Sequence, residues 1–444
     1  MKKYFVLFLL IVASPLVYSK GMSDLVLNTI KNNPHVPSEV LVQYAKGVTE
    51  SDKSNFLRQF GGVRKEIVVT ERSRSDNKGS LELVKIPLGI AISDLIRFSE
   101  NENNVDFIEP NWIYSHTATS DDPQLTNLWG MSSGYGTNAV QAWTNNRQNC
   151  SSSYVGIIDE GYMFNHVDLI ANAGKNSGEI AGDLLDNDGN GLIDDVYGWD
   201  FVNNNNTVFD GVGDDHGTHV AGTIGATGGN GIGVVGVCWN VKLISAKFLG
   251  SNGGTLANAV KAVIYLTDLK TRNNLKIVAT NNSWGGGGYS QALYDAIARA
   301  GSAEILFVAA AGNNSSNNDS VASYPASYNL PNIISVASIN ENGSLSYFSN
   351  FGATSVDLGA PGSSILSTVP VSSKRKIVSG YAKYNGTSMA TPHVTGFIAM
   401  YASLYPNASA SEIKAALLSS FVTPTSSLSG KTLTGGRLNI GAMP

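Results

Sequence analysis

Hydrophobic and polar positions alternate in two different rhythms along this chain. Val40 to Tyr44, Val63 to Val69, Ser80 to Ile86 and Val105 to Tyr114 read as extended segments, while Ser51 to Phe60 and Ile92 to Ser99 carry the spacing of amphipathic helices. The order βαββαβ predicts a small two-layer α+β unit. After a polar stretch at residues 117–124, the rhythm lengthens. Runs rich in Val, Ile and Ala at Tyr154 to Asp159, Val241 to Phe248, Lys276 to Asn281, Glu304 to Ala310 and Ile333 to Ser338 alternate with helical patterns at Thr255 to Lys270 and Tyr289 to Ala300. Near-continuous apolar strands separated by helices predict an α/β domain of three layers, with a mostly parallel sheet flanked by helices. Polar residues that act together in such sheets gather at the carboxyl ends of the strands.

Composition fits two folded domains, since 42% of the 444 residues are hydrophobic and 15% charged. Met1-Lys2-Lys3, an apolar run and small residues through Ser19 have the layout of a secretory signal peptide, too short to span a bilayer. The expected product is exported, extracellular or periplasmic, and free of the membrane. Cys150 and Cys238 are the only two cysteines, and an even pair in an exported protein is expected to be bonded. Net charge is −5, and between Asp159 and Asp215 thirteen carboxylates face a single base, Lys175. That imbalance excludes nucleic acid as a partner and favours cations.

Three segments carry candidate chemistry. Val155-Gly156-Ile157-Ile158-Asp159 is an apolar strand ending in a carboxylate, with Glu160 and Gly161 following. Asp215-His216-Gly217-Thr218-His219 opens a helix whose small residues permit close approach to the sheet. Spacing alone does not say which histidine is a base. Asn385-Gly386-Thr387-Ser388-Met389-Ala390-Thr391-Pro392 leads into an apolar helix, with Ser388 at its start and Pro392 read as part of the first turn. A fourth segment, Asp186-Asn187-Asp188-Gly189-Asn190-Gly191, spaces oxygen ligands two apart around a turn glycine, the front half of an EF-hand-like loop. Calcium is the expected cation, and Asp194 or Asp195 has to close its shell.

Together the three catalytic segments resemble the subtilase family of serine proteases, whose triad runs Asp, His, Ser along the chain. The resemblance implies Asp159, His216 and Ser388 as the triad, with His219 supporting. It also implies Asn313, in Val308-Ala309-Ala310-Ala311-Gly312-Asn313, as oxyanion donor beside the Ser388 amide. By the same resemblance, substrate lies extended between Ser283-Trp284-Gly285 and the Gly253-Gly254 turn, and Ser323 narrows the pocket for the side chain before the cut. A second cation site is implied at Asp168 and Asn230. One position departs from the family, which usually has Ser or Thr where Glu160 stands. A second carboxylate there is expected to raise the imidazole pKa and shift activity to higher pH.

The front unit resembles the ferredoxin-like propeptides of the same family, which assist folding and then plug the cleft. Residues 1–19 are then the signal, 20–116 the propeptide, 117–124 the maturation region with self-cleavage between Tyr114 and Gln124, and 125–444 a monomeric peptidase domain. The implied partners are protein or peptide substrates and the chain's own propeptide. Serine-carboxyl peptidases, which place Glu where His216 stands, and α/β-hydrolases, which need Gly where Ala390 stands, are excluded. The reading from another class is a catalytically silent calcium-binding scaffold, which the intact set of reactive residues argues against.

Overall fold

In the computed structural model, residues 23, 24, 26–28, 30, 35–73, 78–112 and 120–443 are described. The signal-like segment, positions 113 and 114 and residues 117–119 of the maturation region fall outside them. The chain divides into two compact units, residues 1–116 and 117–444. Among the described residues no helix is long and apolar enough to cross a membrane.

The first unit runs β1 (His35–Tyr44), α1 (Glu50–Phe60), β2 (Val63–Val69), β3 (Leu81–Lys85), α2 (Ile92–Ser99) and β4 (Val105–Trp112). Its sheet has the order β2-β3-β1-β4, antiparallel throughout. Helix α1 starts at a capping box between Thr49 and Asp52 and stops at Gly61, whose φ of 71° suits glycine. Val40, Val42 and Tyr44 on β1 meet Phe56 and Leu57 of α1 and Leu95 and Ile96 of α2 in one core.

The second unit contains α3 (Ala139–Thr144), β5 (Tyr154–Asp159), β6 (Gly198–Asp200), α4 (Asp215–Gly225), β7 (Lys242–Lys247), α5 (Leu256–Asn273), β8 (Ile277–Asn282), α6 (Gln291–Ser302), β9 (Leu306–Ala310) and β10 (Ile333–Ile339). It continues with β11 (Leu358–Pro361), β12 (Ile365–Ser373), β13 (Lys376–Tyr384), α7 (Thr387–Leu404), α8 (Ala410–Ser420), β14 (Val422–Pro424) and β15 (Gly436–Leu438). Nine strands form one sheet in the order β14-β15-β11-β10-β9-β8-β5-β7-β6. Only the β14–β15 pair is antiparallel.

Strands β8, β9 and β10 have no exposed position, as expected for a sheet covered on both faces. Successive side chains of β9 point to opposite sides: Val308 joins the core under α4, α7 and α8, and Phe307 and Ala309 join the core under α5 and α6. From β5 the order runs to β7 and β6 on one side and to β8, β9 and β10 on the other. Asp159, the last residue of β5, therefore sits where the winding changes direction, the place where open α/β sheets form a crevice.

Outside the sheet, β12 and β13 form an antiparallel hairpin that precedes α7. Cys150 and Cys238 are joined in a disulfide with Cα atoms 5.9 Å apart, closing a loop of 88 residues. Cross-linking a loop of that length is worth about 4–5 kcal/mol in a chain-entropy account. Replacing both cysteines with serine in the Ser388→Ala protein is expected to lower the thermal unfolding midpoint by several degrees; an unchanged midpoint in a calorimetric scan would count against that contribution.

Candidate active site

Three elements meet at the crevice. Asp159 is fully buried, and its Oδ1 accepts the Glu160 amide at 2.8 Å and lies 2.9 Å from His216 Nδ1. The other oxygen, Oδ2, has no hydrogen-bond partner among the described residues. His216 is the second residue of α4, and the approach of that helix depends on glycine. A Cβ on Gly217 would lie 2.0 Å from the Gly161 carbonyl oxygen and 3.3 Å from Asp159 Cβ. Burial opposes a charged imidazole, but the charge and hydrogen bond of Asp159, helped by Glu160 and Asp215, outweigh it and push the His216 pKa up to about 9.

The other histidine of the motif is structural. His219 is fully buried, its Nε2 meets the Ile365 and Ala382 carbonyl oxygens at 2.8 and 3.1 Å, and Tyr384 stacks on its ring at 4.5 Å. Burial drives its pKa down to about 3, so it stays neutral.

Ser388 is the second residue of α7, where an amide has no intrahelical acceptor. Its Oγ donates to the Ser283 carbonyl oxygen at 3.1 Å, and the Ser283 hydroxyl donates back to the Ser388 carbonyl at 2.8 Å. Pro392 explains why that carbonyl is available. It is the sixth residue of α7, not part of the first turn, and it lacks the N–H that would bond to Ser388 four residues earlier. The Ser283 hydroxyl in turn accepts from Asn281 Nδ2 at 2.9 Å, and Asn281 Oδ1 accepts from Thr395 Oγ1 at 2.9 Å. Asn281 was not singled out in the sequence, because a buried amide at a strand end leaves no spacing signal.

Asn313 Oδ1 accepts from both the amide and the hydroxyl of Thr387, at 2.9 Å each. Its Nδ2 is thereby turned toward Gly386, where an added Cβ would lie 3.5 Å from Nδ2 and 3.6 Å from Ser388 Cβ. His216, Asn313 and Ser388 line one cleft of about 380 Å³, together with Lys383, Tyr384 and Asn385 from the end of the hairpin. A hydroxyl, an imidazole backed by a buried carboxylate, and an amide donor thus face one space. That set can transfer an acyl group.

The segments expected to bind substrate are not among the residues that line this cleft, and they are held largely through backbone. Gly285 to Gly288 lead away from Ser283, and Gly286 donates to the Tyr324 carbonyl at 3.3 Å. Trp284 packs edge-on against Phe248 and Phe307. Gly253 closes on Gly250 through two backbone bonds of 2.9 and 3.1 Å, with Gly254 following. The Ser323 hydroxyl reaches the Gly312 backbone, 3.2 Å from where a Cβ would stand.

In the acidic loop, Asp186 accepts the amides of Asn190 and Gly191 at 3.0 and 2.8 Å, the turn that a glycine with φ of 89° allows. Carboxylate oxygens of Glu179, Asp188 and Asp195 lie within 4.8 Å of one another. Asp195 is fully buried, and burial raises its carboxyl to about 6 against the hydrogen bonds of Tyr265 and Asn176. Three converging acids, one of them buried, suit a cation. Asn190 stands beside them, its Nδ2 3.1 Å from both Asp188 and Asp195. Glu179 was missed in the sequence because it lies outside the loop spacing. Asp194 turns away, accepting the Gly182 and Leu184 amides at 2.8 and 3.1 Å.

Asp168 and Asn230 come together at 3.0 Å, but the Asn230 amide donates to the carboxylate, whose other oxygen accepts Val234 N and Tyr381 Oη at 2.9 Å each. Among the described residues the converging acids are Glu179, Asp188 and Asp195, and no such group forms at Asp168 and Asn230.

Comparison with known proteins bears on the same segments. Residues 151–435 match the subtilase family, and residues 23–111 match the fervidolysin N-terminal prodomain. An extracellular protease of Xanthomonas campestris pv. campestris is 34% identical over 324 residues, covering 71% of this chain but only 54% of that protein. A thermophilic serine proteinase of Bacillus sp. (strain AK1) is 30% identical over 371 residues, covering 83% of this chain and 79% of that one. A solved protease from Pseudoalteromonas arctica PAMC 21717 superimposes with a TM-score of 0.60 at 29% identity, over 73% of this chain and 98% of that structure. With the family matched over most of its length and a prodomain matched in front, the chain belongs to the subtilase family of serine proteases.

Proposed function

We propose that this protein is a secreted serine endopeptidase, made as a self-processing zymogen, with Asp159, His216 and Ser388 as its triad. The observation that carries the reading is the shared cleft of Ser388, His216 and Asn313, with buried Asp159 at 2.9 Å behind the imidazole. Ser388 Oγ attacks the peptide carbonyl while His216 Nε2 takes its proton, and Asp159 holds the ring through Nδ1. The oxyanion receives hydrogen bonds from Asn313 Nδ2 and the Ser388 amide. His216 then gives the proton to the departing amine, and water removes the acyl group by the same steps in reverse.

An extended substrate pairs with the backbone of Ser283, Trp284 and Gly285 on one side and with the Gly253-Gly254 turn on the other. Ser323 makes the pocket before the cut narrower and more polar. Export is supported by the disulfide and by the extracellular protease among the relatives. The domain matching a fervidolysin prodomain is removed by a cut between Tyr114 and Gln124. Ser120 to Gln124 belong to the catalytic unit, since Asp122 accepts the Gly229 amide at 2.9 Å and Gln124 donates to Gly233 at 2.8 Å. Calcium would be held by Asp188, Asp195 and Glu179, with Asp186 and Asn190 shaping the loop and Asp194 fixing its exit; its role is structural.

Casein hydrolysis by the secreted product is expected to be blocked by a serine-directed sulfonyl fluoride and lost in Ser388→Ala; hydrolysis surviving that substitution would end the proposal. In subtilisin, loss of the equivalent asparagine costs on the order of 10²–10³ in kcat, and Asn313→Ala is expected to behave likewise. A peptide library should show weak preference for Phe or Tyr before the cut.

The base acts only as neutral imidazole, and His216 releases its proton near pH 9. Hence kcat/KM is expected to climb through neutral pH and level off above about 9, and a profile already flat at pH 6 would contradict this.

Chelation with EDTA should lower the unfolding midpoint of the Ser388→Ala protein, and excess calcium should restore it, by about 2.7 kcal/mol at 100 times Kd. Asp188→Asn or Glu179→Gln should abolish that response, and a midpoint indifferent to EDTA would remove the ion.

A further inference from the structure

The helix that carries His216 begins without a side-chain cap of its own. Asp214, at the N-cap of α4, makes no bond to the helix amides. Its carboxylate is held by the Lys247 ammonium and the Asp210 amide, each at 2.6 Å. First-turn amides then need an acceptor from elsewhere. The His216 amide donates to Glu160 Oε1 at 2.6 Å, reaching it from beyond the end of β5. The Glu160 amide, in turn, donates to the same Asp159 oxygen that meets the imidazole. One half-buried residue therefore touches both the carboxylate and the backbone of the base.

We propose that Glu160 is a positioning residue for the catalytic base. Its carboxylate supplies the cap that α4 lacks, holds the His216 backbone against the end of β5, and places a second negative charge behind the imidazolium formed during acyl transfer. This rests on the triad reading above and goes beyond it, since triad chemistry requires no acid at this position.

The surroundings leave that charge active. Asp159 precedes Glu160, and Asp215 and His216 face it from α4. On β13, Tyr384 is engaged by its hydroxyl with Asp215. On β7, Lys247 is the nearby cation, and its ammonium is held at 2.6 and 3.1 Å by Asp214 and Asp210. Burial, followed by the charge of Asp159, raises the Glu160 carboxyl to about 7. Above that pH it is ionised, which includes the range in which His216 loses its proton.

Two substitutions separate position from charge. Glu160→Gln keeps an oxygen acceptor for the His216 amide and removes the charge, whereas Glu160→Ala removes both. In full-length protein carrying Ser388→Ala, an NMR titration of the His216 imidazole should give a midpoint about one pH unit lower with Gln than with Glu. In the active enzyme the acid limb of kcat/KM should move down by the same amount. Plateau kcat should fall by less than about tenfold for Gln, which keeps the acceptor but gives up the charge behind the imidazolium, and by more than about tenfold for Ala, which also misplaces the catalytic group.

Equal imidazole midpoints in the Glu and Gln proteins, or an Ala enzyme with unchanged plateau kcat, would overturn the proposal. The titration is read without a nucleophile, so it decides the role of Glu160 even if the chain cleaves no peptide bond. A wild-type protein that cleaves no peptide bond would strike the triad reading alone.

Discussion

A carboxylate with no exposed surface must meet hydrogen-bond donors or lose its charge, and the rest of the site is arranged around that demand at Asp159. Its donors come from the next backbone amide and from an imidazole on a helix that begins 56 residues further on. The helix reaches the strand end only because positions 161 and 217 lack side chains. A Cβ on Gly161 would stand 2.4 Å from the Val208 carbonyl, and one on Gly217 still closer to Gly161 itself. The parallel sheet sets the remaining groups beside this contact, since β5, β7, β8 and β9 all end at the same rim. Asn281 is therefore paired across the sheet with Ile157, two residues before Asp159, although the two are far apart in sequence.

Ser388 is held by a different device. Proline in the second turn of α7 removes one helix hydrogen bond and leaves the Ser388 carbonyl to Ser283. A break in regular helix bonding thus becomes an anchor for Ser388 from the adjoining strand end, through a relay that continues to Asn281 and back to Thr395 on α7 itself. Such a network stiffens the serine through its carbonyl and hydroxyl.

Much of this was readable in advance, because strands buried on both faces have to be apolar throughout and the catalytic strings are long. The βαββαβ order followed from periodicity alone, and the positions of Asp159, His216 and Ser388 followed from motif resemblance. The β12–β13 hairpin carries no turn signal in the sequence. Its tight turn is Lys374-Arg375, both at positive φ, 48° and 64°, where Asn or Gly would have announced it. Pro392 lies a turn further into α7 than its sequence context suggests, since the start of the helix is fixed by tertiary contacts of Thr387 with Asn313 rather than by a cap in the sequence. Glu179 belongs to the acidic cluster only through chain folding, and Asp194, which the spacing offered as a ligand, is turned aside by two backbone amides.

The Cys150–Cys238 bridge encloses Asp159, the acidic loop and His216 within one covalent ring, while Ser388 lies outside it. A protease is exposed to its own kind, and exposed side chains such as Leu184 and Leu185 lie on that ring. A single nick there opens the ring without releasing a fragment. The carboxylate and the imidazole would remain tethered on the two halves, and an electrophoretic band would separate into pieces only after a reductant is added.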